Sequence, residues 1–74
     1  MTDRPLVDTA YEVYSVDAKK VFPLTEEGLT DAKTLAKSLS KKNVFIGISI
    51  ESSNGRGRTG SRGILVYHNG SRYH

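Results

Sequence analysis

Three arginines within seven residues, Arg56, Arg58 and Arg62, sit in and beside the glycine-rich run Gly55-Arg56-Gly57-Arg58-Thr59-Gly60. Guanidinium groups grip phosphate or carboxylate through bidentate forks, and glycines let backbone N–H groups approach an anion. The run satisfies the pattern G-x-G-x-x-G. In a dinucleotide site that pattern follows a strand and opens a helix. Here a strand follows it, so the dinucleotide reading fails. A glycine-rich loop between strands also covers phosphates in protein kinases, but no other kinase motif is present. Two readings stay open: an anion-binding loop, or a solvated hairpin loop whose arginines keep a sheet edge soluble.

Lys37, Lys41 and Lys42 form a second basic group. Tyr14 and Tyr67 are the candidate stacking residues, because aromatics beside cations on a sheet face are the arrangement on which single-stranded bases stack. The same apolar surface would equally serve a dimer interface or lie under an N-terminal tail. Catalytic chemistry finds little footing. Serines, aspartates, His68 and His74 are present, but no nucleophile elbow brings them together. Neither histidine has a cysteine or carboxylate at ligand spacing, so no metal and no cofactor is expected. The acids Glu26, Glu27 and Asp31 are explained by the dipole of a helix N-terminus. The expectation is a protein that is not an enzyme.

The elements that must position these residues follow from periodicity. Asn43 to Glu51 alternates, with Val44, Ile46, Ile48 and Ile50 on one face, as a half-buried strand does. Arg62 to His68 is a second strand, with either Ile64, Val66 and His68 or Leu65 and Tyr67 turned to the core. Tyr11 to Val16 is rich in aromatic and β-branched residues and reads as the first strand. Asp17 to Lys20 is turn-like, and Val21-Phe22 pairs back before Pro23 ends the ladder. Thr25 caps a helix, with Glu26 and Glu27 in its first turn and Leu24 and Leu29 placed as a hydrophobic staple. Leu29, Ala32, Leu35, Ala36 and Leu39 form its apolar stripe. Gly28 weakens the first turn by about 1 kcal/mol relative to alanine, which favours a start nearer Thr30. Lys41 and Lys42 fall in the last turn, and Asn43 is a left-handed terminator. Asn69-Gly70 is the dipeptide of a tight two-residue hairpin turn, leaving a short last strand at an edge. The expected fold is α+β: one amphipathic helix on a 3-4-stranded antiparallel sheet, in the order β-(β)-α-β-β. Residues 1–9 are expected to be a flexible tail and residues 10–74 one domain.

Composition narrows the partners. The chain has 74 residues, no cysteine and a formal charge of +3. That excludes disulfides and thiolate metal sites and fits a reducing compartment. The expected location is the cytoplasm. No apolar run approaches a membrane span, and Met1 to Pro5 does not read as a signal peptide. Asn69-Gly70-Ser71 matches a glycosylation sequon but reads as a turn. Residues 1–31 hold seven acids against three bases, whereas residues 32–74 hold eight bases against Glu51 alone. Such a split favours an acidic partner for the C-terminal half, either an acidic protein or nucleic acid.

The runs Tyr11-Glu12-Val13-Tyr14-Ser15-Val16-Asp17, Leu24-Thr25-Glu26-Glu27, Ala32-Lys33-Thr34-Leu35-Ala36-Lys37 and Val66-Tyr67-His68-Asn69-Gly70 give the chain a layout that resembles small accessory proteins encoded by bacteriophages. The resemblance implies a protein of the host cytoplasm that binds a host macromolecule and inhibits or redirects it. It carries no functional residue over. Three expectations result, in this order: an interaction protein using Arg56, Arg58 and Arg62, with Lys37, Lys41 and Lys42 as a second patch; a nucleic-acid-binding protein; and a sequestrant of a nucleotide. A homodimer is compatible with each.

Overall fold

The computed structural model describes residues 5–15, 19–42 and 44–73. The turn expected at Asp17-Ala18, the terminator Asn43 and His74 lie outside the described residues. Among the described residues, five strands and one helix succeed one another as β1 (Val7–Tyr14), β2 (Lys19–Pro23), α1 (Glu26–Leu39), β3 (Phe45–Ser53), β4 (Thr59–His68) and β5 (Ser71–Arg72). A single turn of 3-10 helix, Ser40–Lys42, extends the end of α1. The strands form one antiparallel sheet in the spatial order β2-β1-β3-β4-β5. The α+β class is as expected, with five strands in place of three or four. The strand beyond that count is β5, the short edge strand expected after the Asn69-Gly70 turn, which folds it back beside Tyr67 and His68. Both turn residues have positive φ, 52° and 80°, the backbone that a two-residue hairpin turn requires.

The first strand begins earlier than its aromatic run suggests. Val7 and Asp8, expected in a tail because residues 1–9 show no periodicity, pair with Ser53 and Ser52 of β3. Thr9 is the extra residue of a bulge, and its hydroxyl donates to the carbonyl of Glu51 at 3.2 Å. Strand pairing and local hydrogen bonds thus override weak local propensity. Lys19 and Lys20, expected in a turn, are the first residues of β2.

Thr25 caps α1 as expected: its hydroxyl accepts from the Gly28 N–H at 2.9 Å. The helix starts at Glu26 and does not slip toward Thr30. A β-carbon at Gly28 would overlap the Pro23 carbonyl, so glycine lets α1 turn tightly off the end of β2. The face of the helix that meets the sheet is made of small residues. Ala32 and Ala36 are fully buried against Val13, Ile46, Ile48 and Tyr67. Leu39, at the end of the stripe, stays exposed.

Register decides what each face of the sheet shows, because residues directly opposite share a face. Val13, Ile48 and Leu65 lie in one row, and Ile46 opposes Tyr67; both rows face α1. A bulge opposite Ile48 and Ser49 leaves Ile64 unpaired between Gly63 and Leu65. Leu65 and Tyr67 therefore point to the core, while the bulge also lets Ile64 pack against it. The other face carries Tyr14, Gly47 and Val66 in one row, and Phe45 and His68 in the next.

Ser40 fastens the helix to the far end of the sheet. Its buried hydroxyl donates to the Lys37 carbonyl and accepts from the Gly70 N–H, each at 3.0 Å. Its carbonyl accepts from the Asn69 N–H at 2.9 Å. The turn that makes β5 is thus held against the end of α1.

Candidate nucleic-acid interface

The face of the sheet opposite α1 exposes a group of three rings. Phe45 and His68, cross-strand neighbours, stack with ring centroids 4.2 Å apart and planes 13° from parallel. Tyr73, just past β5, meets Phe45 edge-on at 5.0 Å and His68 at 6.1 Å. Phe45 is 57% exposed and Tyr73 65%. Large aromatics normally lose water on folding, so an ordered set left in solvent makes this face a candidate binding surface. Tyr14 extends the platform, its ring lying over Gly47 and reaching toward Gly63.

Of the two tyrosines expected to stack bases, only Tyr14 lies on this face. Tyr67 opposes Ile46 under the helix and is 9% exposed, which removes it from any surface. Sequence parity alone could not decide this, because both parities of the last long strand are apolar. The rings that alternation could have found are Phe45 and His68. Phe45 faces away from Ile46 and Ile48, and His68 falls opposite Phe45 once the hairpin register is known.

Cations gather at the same end. Lys41 and Lys42 are exposed in the turn after α1, and the Lys41 side chain runs beside Gly70. Arg72 is exposed in β5, opposite Tyr67 and so on the helix side of the sheet rather than the face that carries the rings. Lys37 lies in the last turn of the helix. Ser40 thus holds the end of α1, with Lys37, Lys41 and Lys42, against the Asn69-Gly70 turn.

The arginines do not form one group. Arg62 faces the helix side of the sheet and makes a bidentate pair with Asp8, with both N···O distances 2.9 Å. Asp8 also accepts from the Ser52 hydroxyl at 3.2 Å. Hydrogen bonding and charge from Arg62 hold the Asp8 carboxyl below its usual range. Arg56 and Arg58 stay in the loop, beyond the far ends of β3 and β4. Eight steps of β3 put that loop about 27 Å from Phe45. One small anion cannot touch both basic groups.

Nor is the loop an open cradle of amides. Asn54 is buried, and its side-chain oxygen accepts from the N–H groups of Arg56 at 2.7 Å and Arg58 at 3.2 Å. The Asn54 N–H donates to the Arg58 carbonyl at 3.1 Å, and the Gly55 N–H to the Ser53 hydroxyl at 3.0 Å. An internal acceptor thus occupies the place an anion would take. This asparagine-centred turn was missed in the sequence, although asparagine before glycine is its usual signal.

Between the aromatic rings and the loop, the open face is acidic. Glu12 and Glu51 share a hydrogen bond that raises the Glu12 carboxyl and lowers that of Glu51. Lys19 Nζ stands 3.5 Å from Glu51 Oε1. With Thr9, Ser53 and Thr59 these groups line a shallow trough of about 530 Å³. Negative charge there opposes an anionic ligand. Among the described residues no three metal-ligating side chains gather, and no helix is long and apolar enough to cross a membrane.

No protein family, curated protein or solved structure matches this chain.

Proposed function

We propose that this chain is a non-enzymatic binding protein that takes single-stranded nucleic acid on the open face of its sheet. Phe45, His68 and Tyr73 supply the stacking surface, Tyr14 extends it, and Lys41 and Lys42, beside the Asn69-Gly70 turn, meet the phosphates. The exposed three-ring group carries the reading. Any base has a π-face, so such a platform binds with little regard to sequence, at about 1–3 kcal/mol per stacked base. Two phosphate contacts to a single strand give a slope of roughly −1.4 in log K against log salt.

The test is a fluorescence anisotropy titration with a short labelled oligothymidylate across a range of salt. Binding should weaken log-linearly with salt. Phe45→Ala and Tyr73→Ala should each weaken it by about tenfold, the lower half of the stacking range. Lys41→Glu with Lys42→Glu should flatten the salt dependence. Absence of binding at low salt would sink the proposal, as would binding that the ring substitutions leave unchanged.

A second reading, an acidic protein partner gripped by the loop arginines, draws on Arg56 and Arg58, which are exposed at the tip of the long hairpin. Arg62 adds little to it while paired with Asp8. A packed protein interface would weaken less with salt than a phosphate-dominated one.

A further inference from the structure

We propose that the open edge of β4 binds an extended acidic peptide segment as an added strand of the sheet. On one side β4 pairs with β3 along its whole length, from Thr59 to His68. On the other side β5 pairs only with Tyr67 and His68, and the Tyr73 N–H closes on the Val66 carbonyl at 2.7 Å. From Thr59 to Leu65 no strand covers that side among the described residues. β5 is therefore a stub, and a segment laid end to end with it would continue the ladder. An unpaired row of N–H and C=O groups is a template for strand addition.

The two edges of the sheet are not equivalent. The β2 edge is five residues long, carries Lys19 and Lys20 and ends in Pro23, all features that discourage pairing. Along the open part of β4, Gly60 and Gly63 present no side chains to obstruct an incoming backbone. A groove of about 440 Å³ runs beside Gly63, Ile64, Leu65 and Val66 and ends at Arg72. Its half-buried apolar floor gives alternate side chains of a bound strand something to cover.

Charge selects the occupant. Residues 54–73 contain Arg56, Arg58, Arg62 and Arg72 and no acid. Arg62, within the open stretch, is paired with Asp8; Arg56 and Arg58 precede the stretch and Arg72 follows it, so a bound strand would have cations near both ends. A second copy paired edge to edge in antiparallel fashion would bring the Arg58 end of one β4 toward Arg72 of the other, twice. Like charges so placed oppose that dimer. A segment bearing carboxylates meets the same cations favourably. The open stretch from Thr59 to Leu65 contains none of the three rings, so shifts there report on the edge rather than on the aromatic face.

The experiment tracks backbone amides of the isotope-labelled full chain by NMR while a synthetic peptide of about eight residues is added. The peptide alternates glutamate with valine or threonine. Shifts and slowed hydrogen exchange should concentrate between Thr59 and Val66 and at Tyr73. Methylating alternate peptide nitrogens should abolish binding, because it removes ladder donors but keeps the charge. Arg72→Glu should weaken it by tenfold or more. Equal binding by the methylated peptide would overturn the proposal in favour of plain charge attraction. β4 amides that respond to protein dilution but not to peptide would overturn it in favour of a second copy. No response at millimolar peptide would overturn it outright.

Discussion

The ring of Tyr14 lies flat across Gly47, in a place that any β-carbon on residue 47 would occupy. The two residues are direct cross-strand partners of β1 and β3, and Val66 of β4 completes the row. A side chain from the second strand of the sheet thus reaches over the third toward the fourth. It shields the central strand without any helix on that face, so Gly47 is buried although it faces away from α1.

Gly47→Ala should therefore destabilise the fold by about 1–3 kcal/mol, the usual range for overpacking a filled site. In a Tyr14→Ala background the same substitution should cost much less, since the obstacle has gone. Denaturant unfolding of both single variants and the double variant measures the coupling. Additive losses would show that the ring does not rest on Gly47.

Gly28 sets helix propensity against packing. Replacing glycine by alanine inside a helix gains about 1 kcal/mol by propensity alone. Here the new methyl would overlap the Pro23 carbonyl, so either the β2–α1 junction opens or the Thr25 cap is lost. Gly28→Ala should lower the melting temperature. A higher melting temperature would mean that the junction yields at no cost.

The helix and the long hairpin were legible in the sequence for physical reasons that the structure preserves. Thr25 with two following glutamates, the alternation from Ile46 to Ile50 and the Asn69-Gly70 turn each act within a few residues. What stayed hidden depends on pairing across the chain. Asp8 reads as a polar tail residue until Arg62 and Ser52 stand beside it, 54 and 44 positions later. Ser40 reads as a surface serine until the turn at Gly70 folds onto it. The bulge at Ile64 fixes which parity of β4 is buried, and so moves Tyr67 from the stacking surface into the core. Periodicity within one strand contains no information about its partner's register.

Asn54 organises the arginine loop, and its role is separable from that of the arginines. Asn54→Ala leaves the N–H groups of Arg56 and Arg58 without their acceptor, at a cost of about 1 kcal/mol. Asn54→Asp keeps an acceptor oxygen and should stay near the parent in stability. Hydrogen exchange at Arg56 and Arg58 should quicken in the alanine variant only. Unchanged exchange would mean that water already competes for these amides.

Acid titration distinguishes the two carboxylate sites by sign. The Asp8 carboxyl is held low by its hydrogen bonds to Arg62, so the folded chain binds fewer protons there than the unfolded chain. Its contribution is present above the unfolded value of about 3.9 and is lost as pH falls through the lower folded value. Glu12 behaves oppositely. Its hydrogen bond with Glu51 raises it, so its favourable contribution is present below the unfolded value of about 4.3 and is lost as pH rises through the folded value. Both sites are open to solvent, which makes the carboxyl titrations themselves, monitored by NMR, a better readout than stability. Arg62→Ala should return Asp8 upward to the ordinary carboxylate range and leave Glu12 where it is. Glu51→Ala should bring Glu12 down and leave Asp8 unmoved. An Asp8 titration indifferent to Arg62→Ala would show that the bidentate pair does not persist in solution, and would return Arg62 to the set of cations available to a partner.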